Sequence, residues 1–245
     1  MKYRTINPVS LLSSSQITKK TLLRRRRIPT QTHTHLIHQS THSKMRLPYA
    51  DPSSPTFSSP SDRAIIERVE ARRAPRPLQP LDLTLLHSPP VADGWNSFLG
   101  AVRTQTGLAD DIREIAICRV AICNGAWYEW GHHAPLAKKG GVSDDGMEVL
   151  KREKCEREEK GGAGEDGGEG GLSGKQWAVV RYTDEMTRNV RVPEEVFEEL
   201  KRWFDEKEIV ELTATIAAYN CVSRFLVALD VGERNKLTGP DDVAH

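Results

Sequence analysis

Between residues 61 and 232 the apolar side chains recur three and four apart, in blocks that stop at glycine or proline, and nowhere alternate with polar ones long enough to build a strand. That periodicity predicts an all-α fold. Asp62 can open a helix carrying Ile65, Ile66 and Val69, which Pro75, Pro77 and Pro80 close. Leu81, Leu85 and Leu86 share a second short face. Val91, Trp95, Phe98, Leu99 and Val102 mark a core helix over 91–106, with Gly107 as its C-cap. Asp110 and Asp111 front a further helix, Asn124-Gly125 interrupts it, and another runs from Ala126 to Lys139 through Pro135. Ser143 caps a short helix to Leu150, and helical spacing returns over 176–189 and from Val192-Pro193 to Phe204. Asp205 and Glu208 then form a capping box for a long helix over 209–229, closed by Gly232.

Composition sets the domain limits. The first 50 residues contain no Asp or Glu, yet carry Lys19, Lys20, Arg24, Arg25, Arg26 and Arg27 among many Ser, Thr and His. Such a segment buries too little apolar surface to offset chain entropy, so residues 1–60 are expected to be a disordered basic tail. It reads as a mitochondrial transit segment, as a nuclear signal, or as the product of a start codon upstream of Met45. Residues 151–174 turn to alternating Lys and Glu and then to GGAGEDGGEGG, the composition of a flexible insertion. The folded domain is therefore expected over 61–233, interrupted by that insertion, with 234–245 as a C-terminal tail. A formal net charge of +1 gives no general drive toward nucleic acid or a membrane surface, and no uninterrupted apolar run reaches the roughly 20 residues of a bilayer span. The four cysteines, Cys118, Cys123, Cys155 and Cys221, include no Cys-x-x-Cys pair. A reducing compartment fits them: the cytoplasm, or the mitochondrion if the tail is a transit segment.

One segment carries chemistry. In NGAWYEWGHH, residues 124–133, Glu129 and His133 stand four apart, about 40° apart around a helix, and can share a proton. His132, three from Glu129, is an equally spaced partner, so spacing leaves the choice of imidazole open. An imidazole suits proton transfer near neutrality, and a carboxylate fixes its tautomer. Glu114 on the preceding helix adds a third titratable group, and two carboxyls in a dry pocket separate into an acid and a base. Trp127, Tyr128 and Trp130, interleaved with these polar groups, fit a pocket wall. Adjacent histidines point about 100° apart on a helix, and no HExxH is present, which argues against a metal site.

Several segments together resemble the carboxymuconolactone decarboxylase family, which shares its fold with alkyl hydroperoxidase D. They are Glu114-Ile115-Ala116-Ile117 with Arg119-Val120-Ala121, NGAWYEWGHHAPLAKKGGVSDD, Val180-Arg181-Tyr182-Thr183-Asp184-Glu185, Ile209-Val210-Glu211-Leu212, Ala218-Tyr219-Asn220 and Ser223-Arg224-Phe225. The resemblance covers residues from about Met45 to Glu233 less the insertion. It implies a compact helical domain and an assembly of identical subunits, a trimer or hexamer. In the hydroperoxidase branch a Cys-x-x-Cys precedes a histidine by four residues and an upstream Glu relays protons. Here Ala126 falls at the first cysteine, Glu129 at the second, His133 at the histidine and Glu114 at the relay position. The resemblance therefore implies a cofactor-free acid/base enzyme acting on a small carboxylated or lactone metabolite, by decarboxylation or isomerisation. In that reading His133 moves the proton and is oriented by Glu129, Glu114 is a second acid or base, and Arg119 or Arg224 anchors a substrate carboxylate beside Trp127 and Trp130. A peroxidase using Cys118 or Cys123, and a non-catalytic oligomeric binding protein, are the alternatives.

Overall fold

A computed structural model of the protein describes residues 45–155 and 167–243. The greater part of the basic tail and the centre of the insertion, the subjects of two expectations above, lie outside the described residues. Nine α-helices are present among the described residues and no strand, only a single isolated bridge between Glu169 and Leu172. They are α1 (Pro60–Arg73), α2 (Pro80–Leu85), α3 (Pro89–Thr104), α4 (Asp110–Asn124), α5 (Trp127–Lys139), α6 (Asp144–Lys151), α7 (Gly174–Asp184), α8 (Glu194–Lys201) and α9 (Glu206–Leu229). A π-helical turn, Glu185–Asn189, prolongs α7, and a 3₁₀ turn, Pro240–Asp242, lies near the C-terminus.

Local chemistry fixes the helix ends. Ser59 accepts from the Asp62 amide, and Ser143 and Ser173 do the same for α6 and α7. At α9 the expected capping box is complete: the Asp205 carboxylate accepts from the Glu208 amide at 2.8 Å, and Glu208 accepts from the Asp205 amide at 3.1 Å. Two glycine assignments are corrected. Gln105, not Gly107, caps α3, while the Gly107 amide donates to the Glu211 carboxylate at 2.8 Å. Asp230, in the left-handed conformation, ends α9; Gly232 instead makes room for Tyr128, whose Cδ2 would lie 2.4 Å from a Cβ at that position.

Helix α4 is the axis of the fold, packed against α5, α7 and α9 and buried continuously from Glu114 to Ala121. A helix buried on all sides must neutralise every polar group it carries. Arg119, 0% exposed, does so with a fork onto Asp184, whose second oxygen lies 2.8 Å away, and with donations to the carbonyls of Leu150, Arg152 and Glu153. Arg119 thereby ties α4 to α7 and to the chain leaving α6. Helix α9 is long and apolar enough by composition to cross a membrane, but here it covers α4 and α3, burying Leu212, Ile216, Tyr219 and Leu226.

The folded boundary also differs from the compositional one. Residues 45–59, assigned above to the tail, lie on the domain: the Arg46 amide donates to Leu229, the Ala50 amide to Leu83, and Met45, Ala50 and Phe57 are buried. Leu172 at the end of the insertion and Val243 near the C-terminus are buried too. Sparse apolar residues at these ends lack periodicity, so local pattern underweights them.

Replacing Arg119 by Met removes the charged partner of Asp184 and a donor to the carbonyls of Leu150, Arg152 and Glu153, and is expected to lower stability by about 3–5 kcal/mol. Urea unfolding checks it, as a reduced midpoint with an unchanged m-value.

Candidate active site

The site is built on the turn between α4 and α5. Gly125, at φ 61°, ends α4 in the left-handed conformation, and α5 begins two residues later, so the helices run back along each other. Glu114 and His133, at comparable distances from the turn, meet there: His133 Nδ1 lies 2.6 Å from Glu114 Oε2, both side chains buried. The edge of the Tyr219 ring from α9 stands against the imidazole, 5.0 Å between centroids at 84°. Arg113 Nε reaches the other oxygen of Glu114 at 3.4 Å.

Burial alone would raise the Glu114 carboxyl, but the hydrogen bond from His133, with the charges of Arg103 and Arg113 nearby, outweighs it and holds the group below the ordinary carboxylate range. Burial depresses the His133 imidazole more than Glu114 raises it, and Arg103 and His132 depress it further. The pair is therefore a carboxylate and a neutral imidazole. An ionised carboxylate only accepts, so the Nδ1 proton is assigned to the bond with Glu114, and Nε2 keeps a lone pair.

His133 and Glu129 line the same small cavity, about 70 Å³. Leu81, Trp95, Leu99, Val222 and Leu226 give it apolar walls, Tyr128 and Tyr219 aromatic ones, and Arg72, Arg73, Gln79 and Arg103 polar edges. Glu129 is 2% exposed and neither of its oxygens has a hydrogen-bond partner among the described residues. Burial pushes its carboxyl well above the usual carboxylate range, which favours the neutral acid. The cavity thus presents one lone-pair base and one protonated carboxyl.

This arrangement revises the expected roles. Glu114, not Glu129, orients His133. His132 is excluded from the pair: its Nδ1 contacts the Tyr128 carbonyl at 2.8 Å and its ring stacks on Tyr128 at the cavity edge. Arg119 is spent inside the fold and does not line the cavity. Arg224 is exposed on α9, donating to the Asn220 carbonyl at 2.9 Å. Trp130 is buried beside a different cavity with Met147 and Val243, and Trp127 lines an outer groove with Gly232. Sequence reading missed Arg72, Arg73, Trp95 and Arg103. As cations in the last turns of α1 and α3, the three arginines carry no local mark separating them from ordinary helix-end charges.

The thiols stand apart from this chemistry. Cys118 is fully buried with its thiol pushed well up by burial, and Cys155 is raised to about 11 by the same cause. Cys123, raised to about 12 chiefly by burial, lies 3.2 Å from an Asp184 oxygen to which it donates. None of the three lines the cavity. Among the described residues no group of three His, Cys, Asp or Glu is placed to hold a metal ion.

Comparison with known proteins agrees with this architecture. The carboxymuconolactone decarboxylase family matches residues 89–150, which span α3 to the last turn of α6 and contain Glu114, Glu129 and His133. Among solved structures, an alkylhydroperoxidase AhpD core protein from Ralstonia eutropha JMP134, described as an uncharacterized peroxidase-related protein, superposes with a TM-score of 0.58 at 18% identity, covering 76% of this chain and 90% of its own. The debrominase Bmp8 is similar in two structures. A cysteine-to-alanine variant in complex with 2,3,4-tribromopyrrole gives a TM-score of 0.55 at 16% identity over 77% of this chain and 92% of that one. Its apo form gives 0.53 at 16% identity over 71% and 86%. At these identities the likeness is one of fold. Among curated proteins none matches this sequence. The chain thus contains, over α3 to α6, a segment that matches the carboxymuconolactone decarboxylase family, within a helical fold similar to that of AhpD-like proteins.

Proposed function

We propose that the protein is a cofactor-free acid/base enzyme acting on a small organic metabolite, by isomerisation or decarboxylation. The observation that carries the reading is the 2.6 Å bond between His133 and Glu114 in the wall of a cavity that also holds the partnerless Glu129. Neutral His133, its Nδ1 proton fixed on Glu114, accepts a proton through Nε2 and is charged while doing so. Glu114, already anionic and 2.6 Å away, stabilises that imidazolium. Glu129, held neutral, donates a hydrogen bond or a proton to an oxygen on which negative charge builds. Isomerisation needs both acts in one turnover. Decarboxylation needs the acid, to protonate the carbon that loses carbon dioxide or to stabilise its enolate. The apolar walls exclude water and strengthen each of these interactions.

A thiol-peroxidase reading finds no support in Cys118, Cys123 or Cys155. A peroxidatic cysteine requires a low-pKa thiolate within reach of substrate, whereas Cys118, Cys123 and Cys155 are all raised and away from the cavity.

Two measurements test the assignment. In a panel of carboxylated and lactone metabolites screened by mass change for decarboxylation and by proton NMR for isomerisation, His133→Gln and Glu129→Gln should each lower kcat/KM by about 10²–10⁴-fold on whichever compound turns over. Glu114→Gln should lower kcat by roughly 10²-fold or more and shift the acid limb of the pH profile, because it acts through His133. Turnover unaffected by His133→Gln would overturn the mechanism. The second concerns stability. A carboxyl raised by folding contributes stability below its unfolded pKa, near 4.5, and loses it as pH climbs through the folded value. Glu129→Gln should therefore match the parent Tm at about pH 4.5 and exceed it at about pH 8.

A further inference from the structure

Beside the cavity lies a groove of about 290 Å³ lined by Arg72, Arg73, Arg76, Arg103, Arg113 and Lys139. The two spaces share Arg72, Arg73, Leu99 and Arg103, and the proton-transfer pair forms part of the partition: His133 faces the cavity and Glu114 the groove. Most of the facing negative charge is already committed. Asp82, 2% exposed, serves Arg72 at 3.4 Å and Arg73 at 2.7 Å together, so one carboxylate stands against two guanidiniums. It also accepts from the Gln79 amide. Asp110 and Glu114 both pair with Arg113. Among the described residues Arg76, Arg103 and Lys139 have no carboxylate within ion-pair distance, and the Arg103 side chain makes no hydrogen bond.

Half-buried Arg103 and exposed Arg76 and Lys139 add three unpaired cations to Arg72, Arg73 and Arg113, whose partners are Asp82, Asp110 and Glu114, and this local excess of positive charge is stabilised by a ligand that brings negative charge. Size points the same way. A cavity of 70 Å³ is well short of the roughly 300–1,000 Å³ of ordinary small-molecule sites, and the adjoining groove brings the combined space into that range.

We propose that cavity and groove form one site for an organic anion, its apolar reacting part against Trp95, Leu99 and Tyr219 and its multiply charged end, dicarboxylate or phosphate, held in the groove by Arg103, Arg76 and Lys139. The proposal rests on the acid/base reading for what happens in the cavity, but the groove is tested by binding alone. Arg103, common to both spaces, positions the ligand's charged end relative to His133.

Isothermal titration of the full chain with malonate and with pyrophosphate provides the probes. At least one should bind, more weakly as ionic strength rises, and its Kd should increase about tenfold or more in Arg103→Gln and in the doubly substituted Arg76→Gln/Lys139→Gln. The double variant alters only exposed side chains, so it decides the matter even if Arg103→Gln folds poorly. Binding of malonate alone identifies a carboxylate ligand, and of pyrophosphate alone a phosphate. Failure of both probes to bind, or an unchanged Kd in the double variant, overturns the groove. His133→Gln should leave probe binding as it was. Binding that depends on the groove while turnover survives His133→Gln would sink the acid/base reading and leave this one standing.

Discussion

The bond between Glu114 and His133 joins two helices at the centre of the molecule, and much of the architecture follows from making it possible. A carboxylate buried in the all-round apolar environment of α4 is costly unless it is hydrogen-bonded and has positive charge nearby. Gly125 supplies the reversal that brings α5 alongside, Tyr219 of α9 walls the imidazole, and Arg103 and Arg113 supply the charge. The same enclosure keeps the imidazole neutral. A stable buried charge and a usable base are thus two results of one placement.

The arginines show how burial and partner supply separate structural from ligand-directed charge. Arg119 is wholly enclosed and every donor direction ends on Asp184 or on a carbonyl, so the residue acts as a brace. Arg103 is half-buried at a cavity edge and has no such partners among the described residues. Both are single arginines in helical segments and look alike in the chain. Only the tertiary placement of Asp184, some sixty residues downstream of Arg119, tells them apart.

The helices themselves were legible in the sequence, because their apolar spacing, serine caps, capping box and the Asn124-Gly125 break are local signals that the structure keeps. The candidate site was legible in part. Glu114, Glu129 and His133 were found, but spacing along one helix favoured Glu129 as the partner of His133, whereas the contact is made across the hairpin. Side chains four apart on a helix are neighbours, yet they need not point at each other when an interhelical partner offers a shorter bond. His132 failed for a related reason: a rotation of one residue turns it from the buried seam toward Tyr128 at the edge. Trp127 and Trp130 were misplaced because aromatic content marks burial without saying which cavity is walled.

Glu129 gives the site its asymmetry. Two carboxyls on facing helices would ordinarily be thought equivalent, but Glu114 has an imidazole at 2.6 Å and guanidiniums nearby, and Glu129 has neither as a hydrogen-bond partner. Identical functional groups are thereby driven in opposite directions, one to the anion and one to the acid, by surroundings alone. In the redox pattern that this chain resembles, the position of Glu129 belongs to a cysteine. A thiol there would lie in the same dry wall, where desolvation works against the thiolate, as it does at Cys118 one helix away. A carboxyl meets that environment differently: the burial that suppresses its ionisation favours its protonated, donating form, so the wall that would hinder a thiolate suits an acid.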